Sequence, residues 1–523
     1  MDRISVKNAG FIREVELRDC EITLEEFIAV AKYHAKVVFH KDLITAVNKS
    51  RSLLDGFWQQ GRAIYGVTTG FGDNVRYTIS GEDAKTLQEN ILRSHACAVG
   101  QPLDEEEVRA IILMIILNTA KGYSGIQEAT LRLLRDVLNH RLYPFAPGSG
   151  SVGYLSVEAH IALTLTGEGY FLEKGEKVPS LSVLEAHQLK PVELGCKEGL
   201  LLISGTTSAT ALGLLALYHG IVSIKNTELS GALVYEALRA TTKALDPRIH
   251  QLKRHPQQQL AASNLSAMLK GSAISEAYRN AKVQDASVLR AMPQILGACR
   301  KLIEDAGSVL LSEMHSVSDN PVLFPTEDGE GEALMTGNFD GSFVGTHCDM
   351  LAIAYANLAN LIERCTDRLI NHHINEGLPP FLITNPGLNN GFMIPQYTQA
   401  ALTAELKLLA VPASTDSITT CAGQEDPVSM AYRACQKANE SAKKLQTMAA
   451  IELLTALQAV DLAVAGTSLA QSPVLKKVRD HVREKVTFLE HDRYLYEDIE
   501  TISEMVNGLE LVRIVEDALQ IVL

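Results

Sequence analysis

Three groups of residues stand out because their types can do chemistry. The first is the run Tyr65-Gly-Val-Thr-Thr-Gly-Phe-Gly72. Its glycines, Gly66, Gly70 and Gly72, permit a tight backbone path that projects Tyr65 into a cleft. A phenol ionises only near a pKa of about 10. Tyr65 therefore acts as a proton acceptor where positive surroundings lower that value, and is otherwise a core tyrosine with a bonded hydroxyl. The second is Arg290, in Gln284-Asp-Ala-Ser-Val-Leu-Arg290. Its fork can grip a carboxylate through two parallel hydrogen bonds, or close a structural ion pair. The third is Gln424-Glu425-Asp426 after a Cys-Ala-Gly turn, where the acids also suit the start of a helix.

Other chemistries fit less well. His372 and His373 are adjacent, so they cannot share one helical face as a zinc-binding pair, and no H-E-x-x-H occurs. Metal binding is not expected. Pro147-Gly-Ser-Gly-Ser-Val-Gly153 is glycine-rich but lacks the Gly-Lys-Ser/Thr ending of a phosphate loop. It does not fit G-x-S-x-G either, which argues against a serine hydrolase.

The elements that must hold these loops read mainly as helix. Thr23-x-x-Glu26 and Asp104-x-x-Glu107 have the form of helix-start boxes. Leu351, Ala354, Leu358, Leu361, Cys365 and Leu369 recur in steps of three or four, as do Leu445, Met448, Ile451, Leu454 and Leu457. Strand-like alternation is scarce. Three stretches rich in Gly, Ser, Thr and Asn break the pattern: 65–72, 147–153 and 336–341. Loops on a rigid helical body are where binding chemistry usually sits.

The 523 residues exceed what one core fills, so more than one domain is expected. The net charge of −14 and the lack of a Lys/Arg run argue against nucleic acid as a partner. The eight cysteines are scattered, as free thiols in a reducing cytosol would be. The first ten residues carry no signal-peptide core. The most apolar window, Gly199 to Tyr218, is interrupted by Ser and Thr and reads as a buried helix, not a membrane span.

Taken in order, Tyr65–Gly72, Leu87-Gln-Glu-Asn-Ile-Leu-Arg-Ser-His95, Ser318-Asp-Asn-Pro321, Gly337-Asn-Phe339 and Gln424-Glu-Asp-Pro-Val-Ser-Met430 resemble the histidine and aromatic amino-acid ammonia-lyases over nearly the whole chain, with histidine ammonia-lyase the nearest likeness. The resemblance implies a mainly α fold: a long central helix bundle of the ammonia-lyase/fumarase-like type, over residues 201–523. A smaller N-terminal domain, residues 1–200, would carry the active-site loops. It implies a cytoplasmic homotetramer whose active sites draw residues from more than one subunit. It also implies an electrophile, a methylidene-imidazolone ring cyclised from an Ala-Ser-Gly triad, with no metal.

Carried over by position, Tyr65 matches the proton-abstracting tyrosine and His95 a substrate-ring contact. Arg290 matches the carboxylate clamp, and Gln284 and Phe339 match pocket-lining positions. Glu425 matches the glutamate that histidine lyases place near the imidazole. A carboxylate suits a ring with N–H donors and serves a phenyl ring badly, so histidine, converted to urocanate, is the leading substrate. An aromatic amino-acid 2,3-aminomutase is the related alternative.

Between Gly153 and Tyr154 the chain departs from the family. Gly150-Ser-Val-Gly153 runs directly into Tyr154-Leu-Ser-Val-Glu-Ala-His160, and the flanks stay in register only if three residues, the size of the triad, are absent. Tyr154 stands where an Asp is usual, Ser204 where an Asn lies close to the electrophile, and Ser287 where histidine lyases carry a Tyr. Losing one such donor can cost roughly 10²–10³ in rate. An inactive homologue that keeps the helical body is thus a second reading beside the active lyase.

Overall fold

Residues 6–81, 83–326 and 330–523 are described in a computed structural model of the chain. Both helix-start boxes form. Thr23 Oγ1 accepts from the Glu26 N–H at 3.2 Å while Glu26 Oε2 accepts from the Thr23 N–H at 2.8 Å. The reciprocal pair at Asp104 and Glu107 opens the helix Glu105–Thr119.

Six helices carry the core or border the loops that hold the candidate residues. They are α1 (Ala84–His95), α2 (Ser156–Leu165), α3 (Thr207–Ala237), α4 (Met292–Met314), α5 (Ser342–Ile370) and α6 (Ala431–Val464). The periodic residues of α5 and α6 face a core: Leu351, Ala354, Leu358, Cys365 and Leu369 are fully buried, as are Leu445, Met448 and Leu457. Each such leucine contributes roughly 1.5–3 kcal/mol of burial. The chain's strands form four two-stranded sheets among the described residues. One of them, Val99–Pro102 against Pro147–Ser149, anchors the loop that leads to Tyr154.

Helix α3 is apolar enough to cross a membrane by length and composition, yet its most apolar window is wholly buried. Two of its small polar residues serve their own helix: Ser223 Oγ donates to the His219 carbonyl and Thr227 Oγ1 to that of Ser223, each at 2.8 Å. Self-bonding of this kind lets hydroxyls sit in a core.

The chain divides into two compact units. The first comprises Met1–Leu215, Gly307–Asp349 and Pro412–Gln436, and the second Ala216–Ala306, Met350–Val411 and Lys437–Leu523. Each boundary but one falls inside one of α3 to α6, because a helix of 23 to 34 residues outruns the core of one unit.

The second unit buries several charged groups in pairs: Lys225 with Glu516 at 2.7 Å and Arg300 with Glu228 at 2.5 Å. Glu452 is different. Burial pushes its carboxyl up to about 8, although the Ser230 hydroxyl donates to it at 2.5 Å. The folded state thus holds a proton that the unfolded chain releases near 4.5. A folded-state pKa above the unfolded one gives stability that is complete below the unfolded value and is lost as pH rises through the folded one. The melting temperature is expected to fall between about pH 5 and 8. Glu452→Gln, which mimics the protonated acid, should flatten that slope in thermal unfolding. An unchanged slope would place the proton elsewhere.

Candidate active site

In the first unit the Tyr65 loop is held by its own backbone. Tyr65 Oη accepts from the Gly72 N–H at 2.8 Å, and its ring meets Phe71 edge-on at 6.3 Å. Two glycines are required here. Gly66 has φ +65°, and a Cβ on it would lie 2.6 Å from Leu200 Cδ2. Gly72 has φ +55°, and a Cβ there would lie 2.2 Å from Cys421 Sγ. The close approach of Gly72 to Cys421 joins the Tyr65 loop to the Glu425 loop.

The Glu425 loop is strained: Cys421 and Ala422 take left-handed φ values of 51° and 54°. Such residues cost of order 1–3 kcal/mol each and cluster at functional sites. The Thr420 N–H donates to the Glu425 carbonyl at 2.9 Å, and the Thr420 hydroxyl donates to Glu425 Oε2 at 3.1 Å. Helix α6 begins only at Ala431, so Glu425 does not cap it. Its carboxylate turns inward instead. Tyr154 Oη donates to the same oxygen at 3.1 Å, and the Tyr154 ring meets Phe339 edge-on at 5.3 Å.

The charge of Glu425 reaches three aromatic groups. Burial, then Glu425, raises Tyr65 above the ordinary phenol range, against the opposing Gly72 hydrogen bond. Tyr154 is raised further, first by burial and then by Glu425 and its bond. His95, at the end of α1, is lowered by burial, with Glu425 acting the other way. The cationic surroundings that would free Tyr65 of its proton are thus not what it faces at rest; its charged neighbours are acidic.

The junction itself is tight. Gly153 precedes Tyr154, and the Ser156 N–H returns to the Tyr154 carbonyl at 3.1 Å across Leu155. Leu155 sits at φ 78°, ψ −66°, the rare, strained form of a three-residue turn. Its N–H donates to the Ile203 carbonyl at 3.0 Å, next to the buried Ser204. In the first turn of α2, Glu158 lies fully buried against the start of α3. There it accepts from Ser208 N–H at 3.0 Å and from the Thr207 hydroxyl at 3.1 Å. Burial raises the Glu158 carboxyl above its ordinary range, while these donors at the partly positive helix end pull it the other way.

Tyr65, His95, Tyr154, Phe339 and Glu425 are therefore brought together, with Gly153 and Ser204 on the adjoining turns. Gln284 and Arg290 belong to the second unit, and both are exposed. Arg290 Nε donates to the Asp285 carbonyl at 2.8 Å. Sequence reasoning missed Cys421, Thr420 and Glu158. The Thr-Cys-Ala-Gly turn was visible only as a turn, and nothing local marks Glu158 as a helix partner. Among the described residues no group of three or more His, Cys, Asp or Glu gathers as a metal centre.

A lyase-type helical scaffold with a tyrosine, a histidine and a glutamate converging on loops defines the class. The profile of the aromatic amino acid lyases matches residues 22–484, and the chain belongs to that family. Among similar proteins, a histidine ammonia-lyase of Symbiobacterium thermophilum is 42% identical over 95% of this chain and 97% of its own. A crystal structure of histidine ammonia-lyase from Trypanosoma cruzi superposes with a TM-score of 0.89 at 33% identity, covering 96% of this chain and 95% of that one. Tyrosine aminomutase from Streptomyces globisporus superposes at 0.90 with 34% identity, covering 96% and 98%.

Proposed function

We propose that the chain is a carbon–nitrogen lyase acting on L-histidine, releasing ammonia and leaving urocanate. The observation that carries the reading is Glu425, a half-buried acid that takes a hydrogen bond from Tyr154 and lies within electrostatic reach of Tyr65 and His95. A carboxylate there holds an imidazole N–H, whereas a phenyl ring would leave it desolvated and unpaired. The full-length likeness to proteins named histidine ammonia-lyase supports it. Assembly as a homotetramer in the cytosol belongs to the same proposal, and the eight unpaired cysteines suit that compartment.

The residues present do not fit the methylidene-imidazolone of the family. No Ala-Ser-Gly stands between Gly153 and Tyr154, the turn is closed across Leu155, and Glu158 already takes the amide end of α3. In this reading the reaction runs without that ring. What remains is the substrate's own ring as electron sink. Glu425 holds the imidazolium, the ionised Tyr65 Oη takes the β-proton, the C–H electron pair forms the Cα–Cβ double bond, and the C–N bond breaks with its pair on nitrogen, so that the ammonium leaves as ammonia. A bound cation beside Glu425 offsets the charge that keeps Tyr65 protonated and so lowers its pKa. His95 and Phe339 line the pocket, and Arg290, as the carboxylate clamp, and Gln284, as a lining residue, are supplied by another subunit of the proposed tetramer.

A second reading, a non-catalytic homologue, is favoured by one observation: the hydroxyl of Tyr154 already rests on Glu425. Incubation with L-histidine, L-tyrosine and L-phenylalanine separates the two. The expected result is a rising acrylate absorbance with histidine alone, one ammonia per urocanate. A β-amino acid product would make the chain an aminomutase, and silence with all three would leave the second reading.

A further inference from the structure

Resting on the reading of this cleft as a ring-binding site, one residue has a role of its own. Tyr154 is 5% exposed, its ring lies edge-on against Phe339, and its hydroxyl donates to Glu425 Oε2. An imidazole and a phenol share a plan: a planar aromatic ring with a polar hydrogen at its rim. The groups that hold Tyr154 are the same two that the histidine ring needs, an aromatic face and a carboxylate. The backbone beneath it is strained at Leu155 and follows the glycines Gly150 and Gly153.

We propose that Tyr154 is a tethered occupant of the aromatic-ring subsite, a latch that a histidine ring must displace from Glu425 in order to bind. It acts on affinity and ring choice through Glu425. Binding then carries a cost set by the fraction of chains in which the latch is open, and the apparent dissociation constant rises by the inverse of that fraction. Glu425 exchanges one donor for another, so its charge is never left buried without a partner.

The test is calorimetric titration of the full chain with L-histidine and with 4-methylimidazole, for wild type, Tyr154→Phe and Tyr154→Ala. Tyr154→Phe keeps the ring on Phe339 and removes only the hydroxyl, so it remains informative if Tyr154→Ala fails to fold. Histidine is expected to bind Tyr154→Phe roughly tenfold more tightly, the size of one hydrogen bond to a charged group. In turnover the gain should appear in KM with kcat little changed, which a merely structural role would not produce. Adding Glu425→Gln to Tyr154→Phe should cancel it. Equal binding by wild type and Tyr154→Phe overturns the latch and leaves the lyase reading standing. Histidine and 4-methylimidazole bound by none of the three proteins overturns both.

Discussion

Tyr65→Phe is expected to lower kcat for histidine by roughly 10²–10⁴-fold, the usual range for removing a positioned general base. The ring contact with Phe71 survives the change, and only Oη is lost. Gly72 loses its acceptor, but Gly72 is partly exposed, so water replaces the bond and the fold should hold. The pH profile distinguishes this from a general disturbance. Burial and Glu425 raise Tyr65, so kcat/KM for wild type should climb on the alkaline side, where the free phenol ionises. In Tyr65→Phe that climb should vanish. A variant that keeps both the rate and the climb would remove Tyr65 from the reaction.

Glu425→Gln should act on binding and on ring choice. One hydrogen bond between charged partners is replaced by a neutral one, which raises KM for histidine roughly tenfold to a hundredfold. Removing the charge also removes the desolvation penalty against a phenyl or phenol ring, so relative binding of phenylalanine and tyrosine should improve. Tyr65 loses a group that raises it, and any remaining alkaline climb should move to lower pH. Steady-state kinetics with the three amino acids reads all of this. Equal effects on histidine and phenylalanine would mean that Glu425 only shapes the loop.

Much of the scaffold was legible because helices announce themselves locally. The Leu351–Leu369 and Leu445–Leu457 series lie in α5 and α6, and the Thr23 and Asp104 boxes form as their spacing implies. Tyr65 and Glu425 were visible as chemistry, since glycines and acids at those spacings are unusual in a helical chain. Their joining was not. Gly72 meets Cys421, and Tyr154 reaches an acid 271 residues away; no periodicity encodes contacts of that range. The same holds for the first unit, which gathers Gly307–Asp349 and Pro412–Gln436 to the N-terminal segment. Tyr154 stands out in the sequence as a departure, but its occupation of the site depends on where Leu155 turns the chain.

The most direct measurement is ammonia release from L-histidine and L-phenylalanine after the chain has been treated with borohydride, which reduces electron-poor exocyclic double bonds. Release from histidine alone, at the rate of untreated protein, is the expected result for elimination driven by Glu425, Tyr65 and the imidazole ring. Loss of release after borohydride, conversion of phenylalanine, or no ammonia from histidine at all would contradict it.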